Sequence, residues 1–376
     1  MKKIIIFIMC VFTFNVYGIE EEKKERIPIV YTALTDGTEV VNVNSDILFP
    51  IASLTKVMNV LVAKDEIAKG NFNLKDKVMF DRYTAFVNGG AISVWPGDDS
   101  YSLEDLLKIQ MIFSSNNAAY ATAKHIGKGD INKFIQMMNE KAREIGLNNT
   151  YFSSPAGLPP RLNKGFGMDM STAKDLFILT KYVVENTDIL DYSGRKSISF
   201  PNSKDPARVY HNRNHMLGDF GVVGMKTGFH EESGFNIILV SKMGDSTVVS
   251  ISLNSETEKQ RYRLHKAILT KLSEKLEKVV DKENTYYLFD IKGYKEKTIE
   301  GYIKDDVLLI NLGQDFVHNI KLNEISNNIN VDDEIGVLEI MLDGEVITSR
   351  PIFAKNANRK LNWFEKILRV ITFGAY

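Results

Sequence analysis

The sequence predicts an α+β fold: a cluster of helices beside an antiparallel sheet, then a small β-rich domain and a C-terminal amphipathic helix. Three observations lead to this prediction. Apolar residues recur at helical spacing in several segments between residues 54 and 184. Short runs rich in β-branched residues lie on both sides of those segments, and strand-like alternation returns after residue 284. The chain of 376 residues is long enough for two or three folding units.

The first elements follow from local patterns. Residues 27–43 alternate like strands around the turn signal Thr35-Asp36-Gly37, so two strands are expected there. Residues 54–68 place their apolar side chains on one side of a helix. Ser102 is a candidate N-cap with Asp105 at the third helical position, which predicts a helix running toward Phe113.

Helices are also predicted for residues 118–126, 131–145 and 171–184, with a Pro- and Gly-rich loop over residues 155–167. Short β-runs follow around residues 197–200, 208–211, 235–242 and 247–254. Residues 256–280 are charged and predict a last helix. These elements together form a first domain over residues 27–280.

The second domain is predicted for residues 284–354, where apolar and polar residues alternate and Asp343-Gly344 makes a hairpin turn. Residues 357–374 predict a separate helix whose apolar half carries Trp363 and Phe364 and whose other half carries charge. Such a helix suits a membrane interface but is too short and too charged to span a bilayer. A helix docked on the protein, or in an oligomer contact, is the alternative.

The N-terminus predicts export. Lys2 and Lys3 precede an apolar run ending near Phe14, and Gly18 is a plausible cleavage point, so residues 1–18 fit a secretory signal peptide. A retained membrane anchor is the alternative interpretation. Cys10 is the only cysteine, so the mature chain would have no disulfide, thiolate nucleophile or cysteine-bound metal. A formal net charge of −1 gives no reason to expect a nucleic-acid partner.

Three short motifs carry the candidate chemistry. Ser53-Leu54-Thr55-Lys56 opens a predicted helix, where residues three apart share a face, so the amine can reach the hydroxyl. The same S-x-x-K pattern recurs at Ser171 and Ser193. Only the first is followed by an S-x-N triplet, Ser114-Ser115-Asn116, and then by the single K-T-G, Lys226-Thr227-Gly228. This ordered set is typical of active-site serine β-lactamases and penicillin-binding proteins.

The chain as a whole resembles the low-molecular-mass penicillin-binding proteins that are serine-type D-alanyl-D-alanine carboxypeptidases. Further segments carry the resemblance, which covers roughly residues 28–372: Pro96-Gly97-Asp98, Met138 to Ala142, Pro155 to Pro159, Ser171 to Leu176 and Gly224 to Phe229. It implies a β-lactamase/transpeptidase-like catalytic domain and a membrane-anchoring tail. It also implies peptidoglycan stem peptides and β-lactams as ligands, with no cofactor.

The resemblance also implies roles for the motif residues. Ser53 would attack the carbonyl of the penultimate D-alanine, and Lys56 would be the general base. Ser114 would relay a proton to the leaving amine, while Asn116 would bind the substrate amide and hold Lys56.

Lys226, Thr227 and Gly228 are assigned by the same resemblance to binding the substrate, with positive charge for its terminal carboxylate. The backbone N–H groups of Ser53 and Phe229 would form the oxyanion hole. Ser115, Asn117 and the His230 that follows Phe229 depart from the family pattern.

Alternative functions differ in what they require. A class A β-lactamase needs an acidic residue in an E-x-x-L-N setting, and the stretch between the second and third motifs has no convincing one: the match to those letters, Glu144 to Asn148, falls at the end of the helix predicted for residues 131–145. A non-catalytic penicillin-binding wall protein has no need of the complete motif set. A DD-endopeptidase remains open. A zinc site at His211, His215 and Asp219 is not expected, since no H-E-x-x-H occurs.

Overall fold

A computed structural model describes residues 26–163 and 167–371. The predicted signal peptide therefore lies outside the described residues. The helices are α1 (Thr55–Ala68), α2 (Arg82–Ala85), α3 (Leu103–Ile112), α4 (Asn116–Ile126), α5 (Ile131–Glu144), α6 (Ala173–Asn186), α7 (Ile189–Ser193), α8 (Glu258–Ser273) and α9 (Trp363–Ile371).

The strands of the first domain and its junction with the second are β1 (Ile29–Leu34), β2 (Glu39–Val43), β3 (Phe49–Pro50), β4 (Met170–Ser171), β5 (Ser197–Ser199), β6 (Val209–His211), β7 (Val222–His230), β8 (Gly234–Met243), β9 (Ser246–Ser255) and β10 (Leu276–Val280). Those that follow are β11 (Tyr286–Asp290), β12 (Thr298–Tyr302), β13 (Val307–Ile310), β14 (Val317–Leu322), β15 (Glu334–Leu342) and β16 (Glu345–Ala354).

The first domain is built on a five-stranded antiparallel sheet in the order β2-β1-β9-β8-β7. Its central strands are covered on both faces, so β8 is apolar at successive positions. Ile238 and Val240 belong to the large core made with the helical cluster, whereas Ile237 and Leu239 pack with α8 through residues such as Leu269. Strand β7, which carries the K-T-G motif, is left at the edge of the sheet.

The second domain is a five-stranded sheet in the order β11-β12-β16-β15-β14 with its own apolar core. Its hairpin at Asp343-Gly344 has positive φ at both positions, as the sequence predicts. The junction with the first domain is partly apolar and partly polar. Ile310 of β13 packs in the apolar cluster that contains Leu269, while Arg350 donates to Asp245 at 2.6 Å and Asp245 accepts from the backbone N–H of Leu308.

The prediction of one helix over residues 256–280 is wrong at its end. Thr257 caps α8 by accepting from the N–H of Gln260, but the helix stops at Ser273. Residues 276–280 form β10, which pairs with β13 from beyond the predicted domain boundary. Pairing with a strand distant in sequence outweighs local helix propensity here. The pattern does not predict strand β14 or the two-residue strands β3 and β4.

The predicted fold class is confirmed, with a mixed helical cluster and antiparallel sheet. The terminal helix α9 begins only at Trp363. The residues before it, including the buried Asn358 and Leu361, pack onto the second domain. None of the helices in the described part has the length and apolarity needed to cross a membrane.

A buried polar network ties α8 to the sheet. His265 is completely buried, and its two ring nitrogens lie 2.8 Å from the hydroxyls of Ser250 and Ser252. Ser250 in turn shares a hydrogen bond with Thr32 on β1. Burial, with a smaller effect of nearby Arg261, lowers the pKa of His265 to about 3.

We expect His265 to make the fold sensitive to acid. The imidazole titrates near 6.5 when unfolded, so between about pH 6.5 and 3 the unfolded chain binds one more proton than the folded chain. The unfolding free energy should therefore fall by about 1.4 kcal/mol per pH unit on acidification, in addition to other groups. Chemical denaturation at several pH values should give a shallower fall for His265→Gln than for the unsubstituted protein; parallel curves would contradict this account.

Candidate active site

Ser53 lies in a tight 3-10 turn, Ala52–Leu54, that leads directly into α1. Two glycines let other segments approach this turn. A Cβ on Gly157 would stand 1.8 Å from the carbonyl oxygen of Ala52, and one on Gly228 would stand 3.3 Å from the amide nitrogen of Ser53. Gly157 also has a φ of +77°, which a side chain would disfavour. The loop after Ser154 and the edge strand β7 therefore meet at Ser53.

Lys56 lies one helical turn from Ser53 and is completely buried. Its Nζ makes three hydrogen bonds, at 2.8 Å to Ser53 Oγ, 2.7 Å to Asn116 Oδ1 and 2.8 Å to the carbonyl oxygen of Ala156. The last two atoms can only accept. A neutral amine has two N–H donors, which these two acceptors would occupy, so its lone pair faces the Ser53 hydroxyl.

The charge state of Lys56 is set mainly by burial. Desolvation lowers the pKa of Lys56 to about 7, opposed by the carboxylate of Asp169 and assisted by the guanidinium of Arg213. A substantial share of the amine is therefore neutral near pH 7. A base with a pKa close to the working pH is best placed to accept and return a proton.

Asn116 is oriented by its own contacts. It is the first residue of α4, and its Nδ2 donates to the backbone oxygens of Asn88 and Gly89. Because the amide nitrogen faces two carbonyls, Oδ1 must face Lys56. The turn-rich segment before α3 thus fixes one wall of the site.

The structure distinguishes the two serines of the middle motif. Ser115 is fully buried and caps α4, accepting from the N–H of Ala118 and donating to Asn117 Oδ1 at 2.6 Å. Ser114 instead has a φ of +67°, rare for a residue with a side chain, and lies just before this cap. Only Ser114 keeps its hydroxyl out of the helix cap.

Lys226 and Thr227 lie on the edge strand β7 and are both buried. Lys226 Nζ donates to the backbone oxygen of Thr227, and within the described residues no carboxylate pairs with it or with Lys56. Burial is the main reason that the pKa of Lys226 lies well below its usual range. Repulsion from the nearby basic groups lowers this pKa further; these groups are Lys56, Arg213 and Arg261. The cleft thus gathers three basic groups, Lys56, Lys226 and Arg213, and an anionic ligand bound there would stabilise their charged forms.

Phe229 follows the motif with its side chain half exposed, stacked on Phe235 at 4.3 Å between ring centroids. Because Gly228 lies against the amide nitrogen of Ser53, the backbone that joins Gly228 to Phe229 is adjacent to the Ser53 turn, where the oxyanion donors are predicted. All eight predicted site positions fall on the Ser53 turn, the first turn of α1, the α3–α4 junction and β7. Their individual roles stay predictions.

Sequence reasoning missed two charged residues of the site. Asp169 is buried and accepts from Thr55 Oγ1, from the N–H groups of Ser153 and Ser154, and from Ser154 Oγ. Burial raises the pKa of Asp169 to about 6 despite these donors. It joins the start of α1 to the loop that supplies the carbonyl of Ala156 to Lys56.

Arg213 is the second missed residue, and it donates through Nε to the backbone oxygen of Phe113 while its guanidinium lies over that ring. Neither residue belongs to a spaced motif, so no sequence signal pointed to them.

The histidines of the candidate zinc site do not form one. His211 lies on β6, whereas His215 stacks on the ring of Tyr262. No group of three His, Cys, Asp or Glu suited to a metal occurs among residues 26–163 and 167–371.

Comparison with solved structures places the fold among penicillin-binding proteins. A D-alanyl-D-alanine carboxypeptidase from Francisella tularensis superposes with a TM-score of 0.61 over 93% of this chain and 98% of its own, at 21% identity. A peptidoglycan synthesis regulatory factor (PBP3) from Streptococcus pneumoniae superposes with a TM-score of 0.66 over 88% of this chain and 99% of its own, at 19% identity. At these identities the likeness establishes the fold.

The sequence comparisons define the family. The model of the D-alanyl-D-alanine carboxypeptidase family, peptidase S11, matches residues 29–257. The carboxypeptidase DacF of Bacillus subtilis is 27% identical over 347 residues, covering 89% of this chain and 86% of its own. A D-alanyl-D-alanine endopeptidase of Haemophilus influenzae is 29% identical over 231 residues, covering 60% of this chain and 75% of its own. The chain belongs to the D-alanyl-D-alanine carboxypeptidase family, and the predicted serine carboxypeptidase activity is confirmed.

The pH dependence of acylation should report on Lys56. We expect the rate of penicillin acylation to rise with pH through about 7, because the neutral amine is the base. Asp169→Asn removes a charge that raises this pKa, so the midpoint should move to lower pH. Arg213→Gln removes a charge that lowers it, so the midpoint should move to higher pH. Stopped-flow labelling across pH 5–9 measures both, and shifts of the same sign would contradict the assignment.

The two serines should separate in a paired experiment. Ser115→Ala should lower the unfolding free energy by about 1–2 kcal/mol through loss of the helix cap. Ser114→Ala should leave stability within about 0.5 kcal/mol and slow turnover by about 10²–10⁴-fold if Ser114 moves the proton. Denaturation curves and D-alanine release on the same preparations decide between them. Equal effects on stability would show that both hydroxyls are structural.

Proposed function

We propose that Ser53 is the nucleophile with which this carboxypeptidase removes the terminal D-alanine from peptidoglycan stem pentapeptides, and that β-lactams acylate the same hydroxyl. The observation that carries the proposal is the buried Lys56 amine, 2.8 Å from Ser53 Oγ and otherwise bonded to acceptors only. A hydroxyl beside a buried base whose pKa is near 7 is the arrangement that activates serine.

In the proposed acylation, Lys56 Nζ takes the Ser53 proton as Oγ bonds to the carbonyl carbon of the penultimate D-alanine. The carbonyl oxygen becomes an anion and is stabilised by the N–H groups of Ser53 and Phe229. One such donor contributes about 3–4 kcal/mol in other serine enzymes. The bond to the leaving nitrogen then breaks as that nitrogen receives a proton through Ser114, leaving an acyl-enzyme and free D-alanine.

Deacylation reverses these roles with water. Water attacks the ester carbon, its proton passes to the Lys56 and Ser114 pair, and Oγ leaves as the Ser53 hydroxyl. Asn116 would bind the substrate amide while it holds Lys56.

The terminal carboxylate of the substrate would bind Lys226 and Thr227. This supplies the negative charge that the cleft lacks, since two buried amines and Arg213 share it without a paired carboxylate. An anion bound there would raise the pKa of both lysines. Binding would thus help to hold Lys226 protonated, and acylation would proceed from the fraction of Lys56 that remains neutral.

Cleavage of cross-links is the second candidate function, because D-alanyl-D-alanine endopeptidases of Haemophilus influenzae and Escherichia coli are among the relatives. They match only 60% and 56% of this chain, whereas the Bacillus subtilis carboxypeptidase matches 89%. Incubation with a cross-linked muropeptide dimer tests this candidate. Monomer release faster than D-alanine release from pentapeptide would favour the endopeptidase.

The site of action would be the outer face of the cell membrane, reached through the N-terminal signal sequence. The tail supports this proposal. Glu365 pairs with Arg359, and Arg369 donates to the backbone oxygens of Tyr294 and Lys295, so these charged residues face the second domain. The bulky apolar residues of α9 are exposed instead: Trp363, Phe364, Ile367, Val370 and Ile371. Such a helix suits insertion into a bilayer interface.

The nucleophile is tested by locating a penicillin adduct. We expect mass spectrometry to place one penicilloyl group on Ser53. We also expect the protein to release D-alanine from a pentapeptide that ends in D-Ala-D-Ala. Ser53→Ala should abolish both, and Ser193→Ala, which removes the serine of another S-x-x-K pattern, should abolish neither. Labelling that persists in Ser53→Ala would overturn the proposal, and labelling without D-alanine release would favour a binding protein.

The tail is tested by truncation after Leu361, which keeps the residues packed on the second domain. The truncated protein should lose most of its binding to vesicles of anionic phospholipid, while penicillin labelling continues. Replacing Trp363 and Phe364 by Ser should have the same effect. Vesicle sedimentation measures it, and unchanged partition would favour the retained N-terminal anchor.

A further inference from the structure

A charged cluster stands at the end of β7 where the acyl side of the substrate would emerge. Arg161, from the loop after Gly157, donates to Glu231 at 3.1 Å and to Glu232 at 3.3 Å. Arg26 donates to the backbone oxygen of Glu231 at 3.0 Å. Two guanidinium groups and two carboxylates therefore meet in this cluster, hereafter the rim cluster. Within it Glu231 is 80% exposed and Arg161 is 51% exposed.

The direction of the substrate follows from the proposed function, on which this inference rests. If the terminal carboxylate binds Lys226 and Thr227, the reacting carbonyl lies at Ser53 beside Gly228, further along the same strand. The rest of the acyl chain must then continue toward the turn after His230. From Gly228 to Glu231 is three residues, about 10 Å of extended strand. The residue before the D-Ala-D-Ala pair, with an extended side chain, covers that distance.

Both walls of this exit are joined to the nucleophile. The loop that carries Arg161 begins at Ala156 and Gly157, which contact Lys56 and Ala52. The strand that carries the two glutamates includes Gly228, which contacts the Ser53 turn. The rim cluster thus places opposite charges beside the path on which a substrate side chain would leave the cleft.

We propose that the rim cluster recognises the third residue of the stem peptide and selects a diamino acid whose side chain ends in an amino-acid zwitterion. Arg161 would donate to its carboxylate and Glu231 would accept from its ammonium group. Equal numbers of guanidinium and carboxylate groups suit a ligand that carries both charges better than one that carries a single charge. Because exposed ion pairs add little to stability, exchange of partners costs little here.

The experiment uses three N-acetylated tripeptides ending in D-Ala-D-Ala, with meso-diaminopimelate, lysine or alanine as the first residue. The measured quantity is kcat/KM for D-alanine release, expressed as a ratio to the alanine peptide. We expect the ratio to be highest for diaminopimelate. Arg161→Gln should lower the diaminopimelate ratio roughly fivefold and leave the lysine ratio unchanged or higher, as expected for one partly exposed charge pair. Glu231→Gln should lower both ratios.

Glu185→Gln is the matched control, since it removes an exposed glutamate paired with Lys181 on α6, away from the cleft. Its ratios should equal those of the unsubstituted protein. Two results would overturn the inference and leave the cluster as a structural contact. One is a kcat/KM ratio near one for every peptide, and the other is an equal loss of kcat/KM on all three peptides in Arg161→Gln. Hydrolysis of the alanine peptide in that case would leave the proposed function standing. Absence of D-alanine release from every peptide would overturn both.

Discussion

The burial of one amine organises this active site. Lys56 has no exposed surface, so its charged form is costly and its hydrogen-bonding capacity must be met by the protein. Its three hydrogen-bond partners come from three segments: the Ser53 turn, the start of α4 and the loop at Ala156. The amine therefore fixes the relative positions of these segments. Because its pKa falls to about 7, the contact that holds the site together is also the one that supplies a base.

Close packing around Ser53 depends on the absence of side chains at two positions. Gly157 brings the loop after Ser154 against the Ser53 turn, and Gly228 does the same for the edge strand β7. A methyl group at either position would contact the backbone of the Ser53 turn. Asp169 then locks the loop by accepting four hydrogen bonds, one of them from Thr55 on α1. The carboxylate stands near Lys56 without pairing with it directly, so it moderates the pKa of the lysine and leaves the amine free to bind Ser53.

The position of β7 at the edge of the sheet leaves a place for the substrate peptide beside Ser53. An edge strand leaves backbone groups unpaired on its outer side, where an extended peptide can lie. Lys226 and Thr227 lie on this strand before the Ser53 turn, and His230 and the rim cluster lie beyond it. The second domain joins the first through Arg350 and Asp245, and Asp245 follows the end of β8 that pairs with Val222, whereas the site lies toward His230 at the other end of β7.

The sequence by itself determined the fold class, most helices of the first domain and the identity of the motif residues. These follow from local physics: helical periodicity, the Ser102 and Asp105 capping box, and turn residues such as Gly344. It also ranked Ser53 above two other serines by motif order. The physical contrast behind that ranking appears only in three dimensions, because Lys56 is buried against Ser53 whereas Lys174 pairs with Asp46 at the surface.

Only the tertiary structure decided which segments distant in the chain are in contact. Strand β10 could not be told from a helix end, since its partner β13 lies some thirty residues away in sequence. Asp169 and Arg213 have no motif, because their effect on Lys56 acts through space and depends on burial. Ser114 and Ser115 are equivalent as letters and differ only in which hydroxyl caps α4. Spacing along the chain encodes neighbours on one helix or strand, whereas the environment that sets a pKa is assembled by the fold.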